Sequence, residues 1–262
     1  EMCIRDRGQY PVISISLKSM KQGSYKDAFH MFKVLIAREY DRHKVILKSG
    51  KISDSERDLF HSILTQRAED AFYLDSIKFL SDIMVKYYNK NVIILIDEYD
   101  VPLENAFYQG FYTDMVNLIR SVFESALKTN PSLDRAFLTG CLRVSKESIF
   151  TGLNNLDIFT IISPMFTDSF GFTPDEITDI LKYYKLEDKA NEIKDWYDGY
   201  LFSDTQIYNP WSTINHIKNL TVNPNYPCKP YWSNTSSNEI VKRLIEESND
   251  RTKNAIEELI NG

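Results

Sequence analysis

The chain has 262 residues, 43% hydrophobic and 13% aromatic, which is ample for a packed core and excludes a disordered chain. Its formal net charge of -6 argues against broad, sequence-independent nucleic-acid binding, while leaving room for a local basic patch. Three scattered cysteines and four scattered histidines offer neither a zinc spacing nor a disulfide framework, so a reducing, cytoplasmic setting is the default expectation. No apolar stretch approaches the length needed to span a bilayer, and no internal repeat is evident.

The first seven residues, Glu1-Met2-Cys3-Ile4-Arg5-Asp6-Arg7, read like the translation of a transposon-end adapter used in sequencing libraries. They are set aside from fold reasoning, the alternative being a native charged N-terminus. From there the pattern predicts a strand at Val12 to Leu17 and a long helix from about Tyr25 to Leu47, stopped by Ser49-Gly50. Further helices are expected from about Asp54 to Gln66 and Phe72 to Tyr88. Asn89-Lys90-Asn91 turns into the run Val92-Ile93-Ile94-Leu95-Ile96, followed by Asp97-Glu98-Tyr99-Asp100. A short, β-branched, fully apolar run reads as a strand buried in a parallel sheet. Pro102 and Gly110 frame an expected loop. A helix from about Thr113 to Lys128 ends at Asn130-Pro131. Arg135 to Gly140 and Ile158 to Ile162 read as two more strands, and Ser145 as the cap of a short helix to Thr151.

Beyond about residue 170 the pattern turns helical. Thr173-Pro174-Asp175-Glu176 is a helix start, with Thr at the N-cap, Pro at the first position and Glu at the third. Helices are expected to about Tyr184, from Asp188 to Tyr197, from Asn209-Pro210 to Lys218, and as a final pair ending near Ile260. Alternating helices and apolar strands imply an α/β sheet covered on both faces, followed by a helical appendage. The aromatic stretch Trp196 to Phe202, with Tyr208, Trp211, Tyr231 and Trp232, fits a core around turns or a stacking platform.

Four or more apolar strand residues followed by Asp-Glu form a Walker B pattern. It places Asp97 at the carboxyl edge of the sheet, where open α/β sheets bind ligands. There Asp97 would hold Mg²⁺ and Glu98 would polarise a hydrolytic water. The plain alternative is a core strand that ends in a solvated acidic turn. The strand RAFLTG ends in Thr139, which could sense a γ-phosphate, and Arg143 follows as a candidate for phosphate charge compensation; from these residues alone the plainer reading, a strand end with a surface arginine, is favoured. A metal-dependent nuclease built on Asp97, Glu98, Asp100 and Glu104 would need a following E-x-K strand, which is not found. The one Gly-Lys pair, Gly50-Lys51, is followed by Ile52 and preceded five residues earlier by Val45, so no Walker A loop is present.

Taken in order, LIDEYD (95–100), LTGCLRVSKESIFTGLNNL (138–156), FGFTPDEI (170–177), WYDGYLF (196–202), IYNPWS (207–212) and YWSNTSSN (231–238) resemble the bacterial AAA-ATPase-like family. The resemblance runs from Pro11 to the end. It implies an incomplete P-loop, additional-strand parallel sheet followed by a helical, winged-helix-like region. Asp97 and Glu98 fall on the Walker B pair and Thr139 on the end of the sensor strand, with Mg²⁺ and ATP as the implied cofactors of a longer parent. Such proteins often carry a nuclease-like domain of the PD-(D/E)XK type. The expected layout is an adapter at 1–7, a truncated ATPase core at 8–170 and a helical region at 171–262. Without the loop that cradles phosphates, this chain is expected to be inactive alone. The alternative function is a non-catalytic module that contacts protein or nucleic acid, with Asp97 and Glu98 only capping a strand.

Overall fold

A computed structural model describes residues 8–141, 149–150, 153, 156–232, 251 and 253. The chain divides into two compact units between Leu156 and Asp157. The adapter-like run 1–7 lies outside the described residues, as do the short helix expected after Ser145 apart from residues 149–150 and the final helical pair apart from residues 251 and 253.

The first unit is built on three parallel strands in the order β1 (Val12–Ser16), β2 (Val92–Asp97), β3 (Leu133–Leu138). β2 is central, with Ile15 opposite Ile96 and Ile96 opposite Leu138. Alternation along a strand sends Ile13, Ile15, Val92, Ile94 and Ile96 to one face, where all are buried. Helices α1 (Tyr25–Arg42), α4 (Ser76–Tyr88) and α6 (Tyr112–Phe123) supply Phe32, Ile77, Ile119 and Phe123 against them. The opposite face carries exposed Ser14, Arg135 and Phe137 beside half-buried Ile93 and Leu95. Among the described residues this face is not covered, which corrects the expectation of a sheet buried on both sides.

Local chemistry sets the element ends. The Ser24 hydroxyl accepts from the Asp27 amide at 3.2 Å and starts α1. Ser53 and Glu56 form a reciprocal capping box for α2 (Asp54–Leu64). The expected long third helix is broken into α3 (Asp70–Leu74) and α4, and the first ends at Arg42 before a 3₁₀ turn, Lys44–Lys48. The expected loop after Asp100 is instead helix α5 (Val101–Gln109): Pro102 occupies its first turn, where a missing N–H costs nothing, and Gly110 closes it at φ 83°. The helix α6 passes into a π-helical turn, Glu124–Lys128.

Buried Glu39 on α1 ties that helix to the sheet. Its carboxylate accepts from the Ser14 amide of β1 at 2.9 Å, from Arg42 at 2.7 Å, and lies 3.1 Å from His43 Nε2. An outward-facing N–H of an edge strand is thus occupied by a side chain of the neighbouring helix.

The second unit contains α7 (Pro174–Tyr184), α8 (Ala190–Tyr197), a hairpin of β4 (Asp198–Phe202) and β5 (Thr205–Tyr208), and α9 (Pro210–Val222). Thr173 and Glu176 form the expected capping box at α7. Ile158 to Ile162 is not a strand: these residues are extended or turning, Ile161 and Ile162 are exposed, and Ser203, just after β4, gives the segment a single backbone bond to Ile161 O at 2.7 Å and no strand ladder among the described residues. The aromatic stretch is split. Tyr197 and Tyr208 join a core with Ile177, Leu181, Ile193 and Ile217, whereas Trp196, Tyr200 and Trp211 are exposed. Among the described residues no helix is long and apolar enough to cross a membrane.

The core reaches the acidic end of β2 through Tyr99, whose ring packs edge-on against Phe123 at 6.5 Å and Phe150 at 5.4 Å. Phe123→Ala is expected to lower unfolding free energy by about 3–5 kcal/mol, measured by urea denaturation.

Candidate functional site

Register places the site. Because Ser16 lies opposite Asp97 and Leu138 opposite Ile96, the three strand ends finish side by side. The Thr139 hydroxyl donates to Asp97 Oδ1 at 2.5 Å, and the Ser16 hydroxyl donates to Oδ2 at 3.3 Å. Both oxygens of Asp97 are therefore held by hydroxyls from the two flanking strands. Backbone bonds lock the same corner: Thr139 N to Ile96 O at 2.9 Å, Tyr99 N to Thr139 O at 3.1 Å, and Leu17 N to Asp97 O at 2.9 Å.

Glu98 follows at φ 54°, in the left-handed region that side chains with a Cβ rarely adopt. The turn takes Glu98 out of the strand alternation, and its carboxylate lies 3.8 Å from the ammonium of exposed Lys18. Asp100 is buried at 2% exposure and stands at the N-terminus of α5, whose dipole favours negative charge. One turn on, burial, and then the Asp100 charge, push the Glu104 carboxyl up, with Lys21 opposing.

The structure thus brings Asp97, Glu98 and Thr139 together. Arg143 lies outside the described residues. Sequence reasoning missed Ser16 and Lys18, which carry no motif of their own and reach the site only through pairing of β1 with β2. It also missed the role of Gly140. A Cβ built there would sit 2.7 Å from Asp100 Oδ1 and 2.8 Å from the Tyr99 ring, so a side chain would collide with two buried groups.

Cys141 reports on the electrostatics. Its thiol is pushed up from the usual value first by the protein packed behind it and then by Asp100, Glu98, Glu104 and Asp97. Four carboxylates therefore act on one point at the surface. These charges act at a distance: among the described residues, Asp97, Glu98, Asp100 and Glu104 do not converge as a set of metal donors.

A sequence-family profile described as Predicted AAA-ATPase matches residues 1–150, more than half of the chain. The chain belongs to this AAA-ATPase-like family. The parallel sheet with its carboxylates at the C-terminal end of the central strand agrees with a P-loop-like fold in this AAA-ATPase-like chain. It is also similar to a curated protein of Azotobacter chroococcum mcd 1, titled "Uncharacterized protein in vnfD 5'region", with 26% identity over 159 residues. That alignment covers 60% of this chain and 30% of the relative, so the AAA-ATPase-like chain spans under a third of the relative's length. No solved structure matches it.

Two outcomes follow from this geometry. Gly140→Ala is expected to destabilise the protein by about 1–3 kcal/mol through overpacking, read by chemical denaturation. Glu98→Gln, by removing one of the charges that oppose thiolate formation, is expected to speed iodoacetamide labelling of Cys141 by about twofold at mildly alkaline pH, followed by peptide mass mapping.

Proposed function

We propose that the Glu1–Leu156 unit carries the metal-and-water half of an AAA-like ATPase site, and that the whole protein binds and hydrolyses ATP with Mg²⁺. The observation that carries this reading is the double hydroxyl grip on Asp97 at the aligned ends of three parallel strands. A carboxylate oriented in this way is poised to receive a hydrated cation without rearranging.

Asp97 would hold Mg²⁺ through water, and the ion when bound would supply neutralisation of the charge that develops on the phosphate. Glu98 accepts a hydrogen bond from the attacking water, whose oxygen forms the new bond to the γ-phosphorus while its proton passes, by way of Glu98, to the released phosphate. The bond from the γ-phosphorus to its bridging oxygen breaks, and the electron pair leaves with ADP. Thr139 has a hydroxyl within reach of Asp97 and can exchange that partner for a γ-phosphate oxygen. Arg143 is assigned the compensation of phosphate charge.

The sheet supports the same reading from another side. β3 has a strand partner on one side only among the described residues, and Phe137 within it is 56% exposed. Parallel sheets of α/β proteins are ordinarily covered on both faces. A further strand of the whole protein, carrying a phosphate-binding loop, would pair with β3 and bring that loop beside Thr139. A nuclease-like domain in the same polypeptide belongs to the same family reading. No observation here favours nucleic acid as a partner.

A second reading is a nucleotide-independent interaction module. Thr139 and Ser16 satisfying Asp97, and Lys18 facing Glu98, are contacts that a simple strand cap also makes.

The 262-residue chain, with no G-x-x-x-x-G-K-[ST] run, is expected to bind ATP weakly or not at all in isothermal titration. In a longer protein that supplies such a loop, Glu98→Gln is expected to lower ATP turnover on the order of 100-fold, with ATP binding retained. Equal turnover by the two proteins would rule out the role given to Glu98.

A further inference from the structure

The second unit holds a group of side chains that the ATPase reading does not use. Glu192 on α8, His216 on α9 and Cys228 in the segment after α9 meet at one point. Cys228 Sγ is 3.3 Å from Glu192 Oε1 and 3.4 Å from His216 Nε2, and Nε2 is 3.6 Å from the same carboxylate oxygen. His216 is fully buried. The three residues are separated by 24 and 12 positions in the chain, so no short motif announces them.

The geometry points to a binding site for a thiophilic divalent cation of the zinc type, held by Cys228 Sγ, His216 Nε2 and Glu192 Oε1. Ligand bonds of about 2.3 Å to sulfur and about 2.0–2.2 Å to nitrogen and oxygen at tetrahedral angles require donor separations of about 3.4–3.6 Å. The observed triangle, with edges of 3.3, 3.4 and 3.6 Å, comes close to that size, its sulfur-to-oxygen edge being slightly short. A thiolate, an imidazole and a carboxylate together bring two negative charges, matching a divalent ion, and the thiolate selects against Mg²⁺ and Ca²⁺. Three protein donors leave a fourth position for water or an added ligand.

The arrangement does not suit a cysteine nucleophile. In such a triad the cysteine and the acid contact opposite nitrogens of the imidazole ring. Here both face Nε2, and buried Nδ1 has no hydrogen-bond partner. The donors converge on a point and do not form a relay.

Surrounding contacts hold the donors in place. Lys189 binds the other oxygen of Glu192 at 3.2 Å, which leaves Oε1 for the site. The Tyr197 hydroxyl bonds both the amide and the carbonyl of Lys229 at 3.2 Å, and Asn219 donates to the Tyr231 hydroxyl at 2.9 Å. These bonds fix the segment around Cys228 against α8 and α9. Outer contacts of this kind orient metal ligands. An ion here would join two helices and the following segment, much as a disulfide does in an oxidising compartment.

The test uses the full 262-residue chain carrying Cys3→Ser and Cys141→Ser, which leaves Cys228 as its single thiol. Chelator-treated protein is titrated with Co²⁺ and then Zn²⁺. One equivalent of Co²⁺ should give a thiolate-to-cobalt charge-transfer band, Zn²⁺ should displace it, and Zn²⁺ should raise the melting temperature. His216→Gln and Glu192→Gln should each weaken Co²⁺ binding by more than about tenfold, beyond the usual loss from an outer-shell change. Far-UV circular dichroism checks that the variants fold. If buried His216→Gln does not fold, the less buried Glu192→Gln decides the matter. Absence of the charge-transfer band at one equivalent, or an unchanged affinity in Glu192→Gln, overturns the proposal. Neither result bears on ATP hydrolysis, because the site lies wholly within the second unit.

Discussion

The parallel pairing of β2 with a strand on each side is the constraint on which the first unit depends. A buried strand must satisfy every N–H and C=O along its length. Here that requirement aligns the three strand ends, and the alignment delivers two hydroxyls to one carboxylate. A register slip of a single residue would turn Ile94 and Ile96 out of the core and carry Asp97 away from both donors. Hydrophobic burial and site geometry are therefore specified by the same set of hydrogen bonds. The rings of Tyr99, Phe123 and Phe150 extend this coupling beyond the strand end.

The two sheet edges are treated differently. At β1, the buried carboxylate of Glu39 takes up the Ser14 amide, and Arg42 and His43 surround that carboxylate. Strand addition there would have to displace a charged, hydrogen-bonded group. β3 has no comparable side-chain cover among the described residues, and it carries an exposed phenylalanine of its own. Growth of the sheet is thus directed to one side.

Much of this arrangement could be read from the residues. The run VIILI could only be a short buried strand, and its neighbour RAFLTG ended where expected to within two residues. The capping box at Thr173 was legible because four consecutive residues each satisfy a separate requirement of a helix start. Pro102 and Gly110 misled because both residues serve either to break a helix or to bound one, and local spacing does not separate the two. Ile158 to Ile162 misled for the opposite reason: apolar composition makes a strand only where a neighbour supplies a repeated ladder of hydrogen bonds, and here Ser203 supplies a single one. The β4–β5 hairpin was missed because Asp198-Gly199 also reads as a plain helix stop. Glu192, His216 and Cys228 were invisible because only packing of α8 against α9 brings them together. Ser16 lacked any signal apart from the register of its strand.

Glu98 sits at φ 54°, a backbone setting that glycine and asparagine occupy more comfortably than glutamate. Strain of this kind costs on the order of 1–3 kcal/mol. Keeping a glutamate there means that stability and the proposed chemistry pull on this codon in opposite directions. A lineage released from the need to position water should drift toward the relaxed residues at this position, gaining stability as it does so. Glutamate retained across relatives would then be a record of continuing selection, legible without an assay.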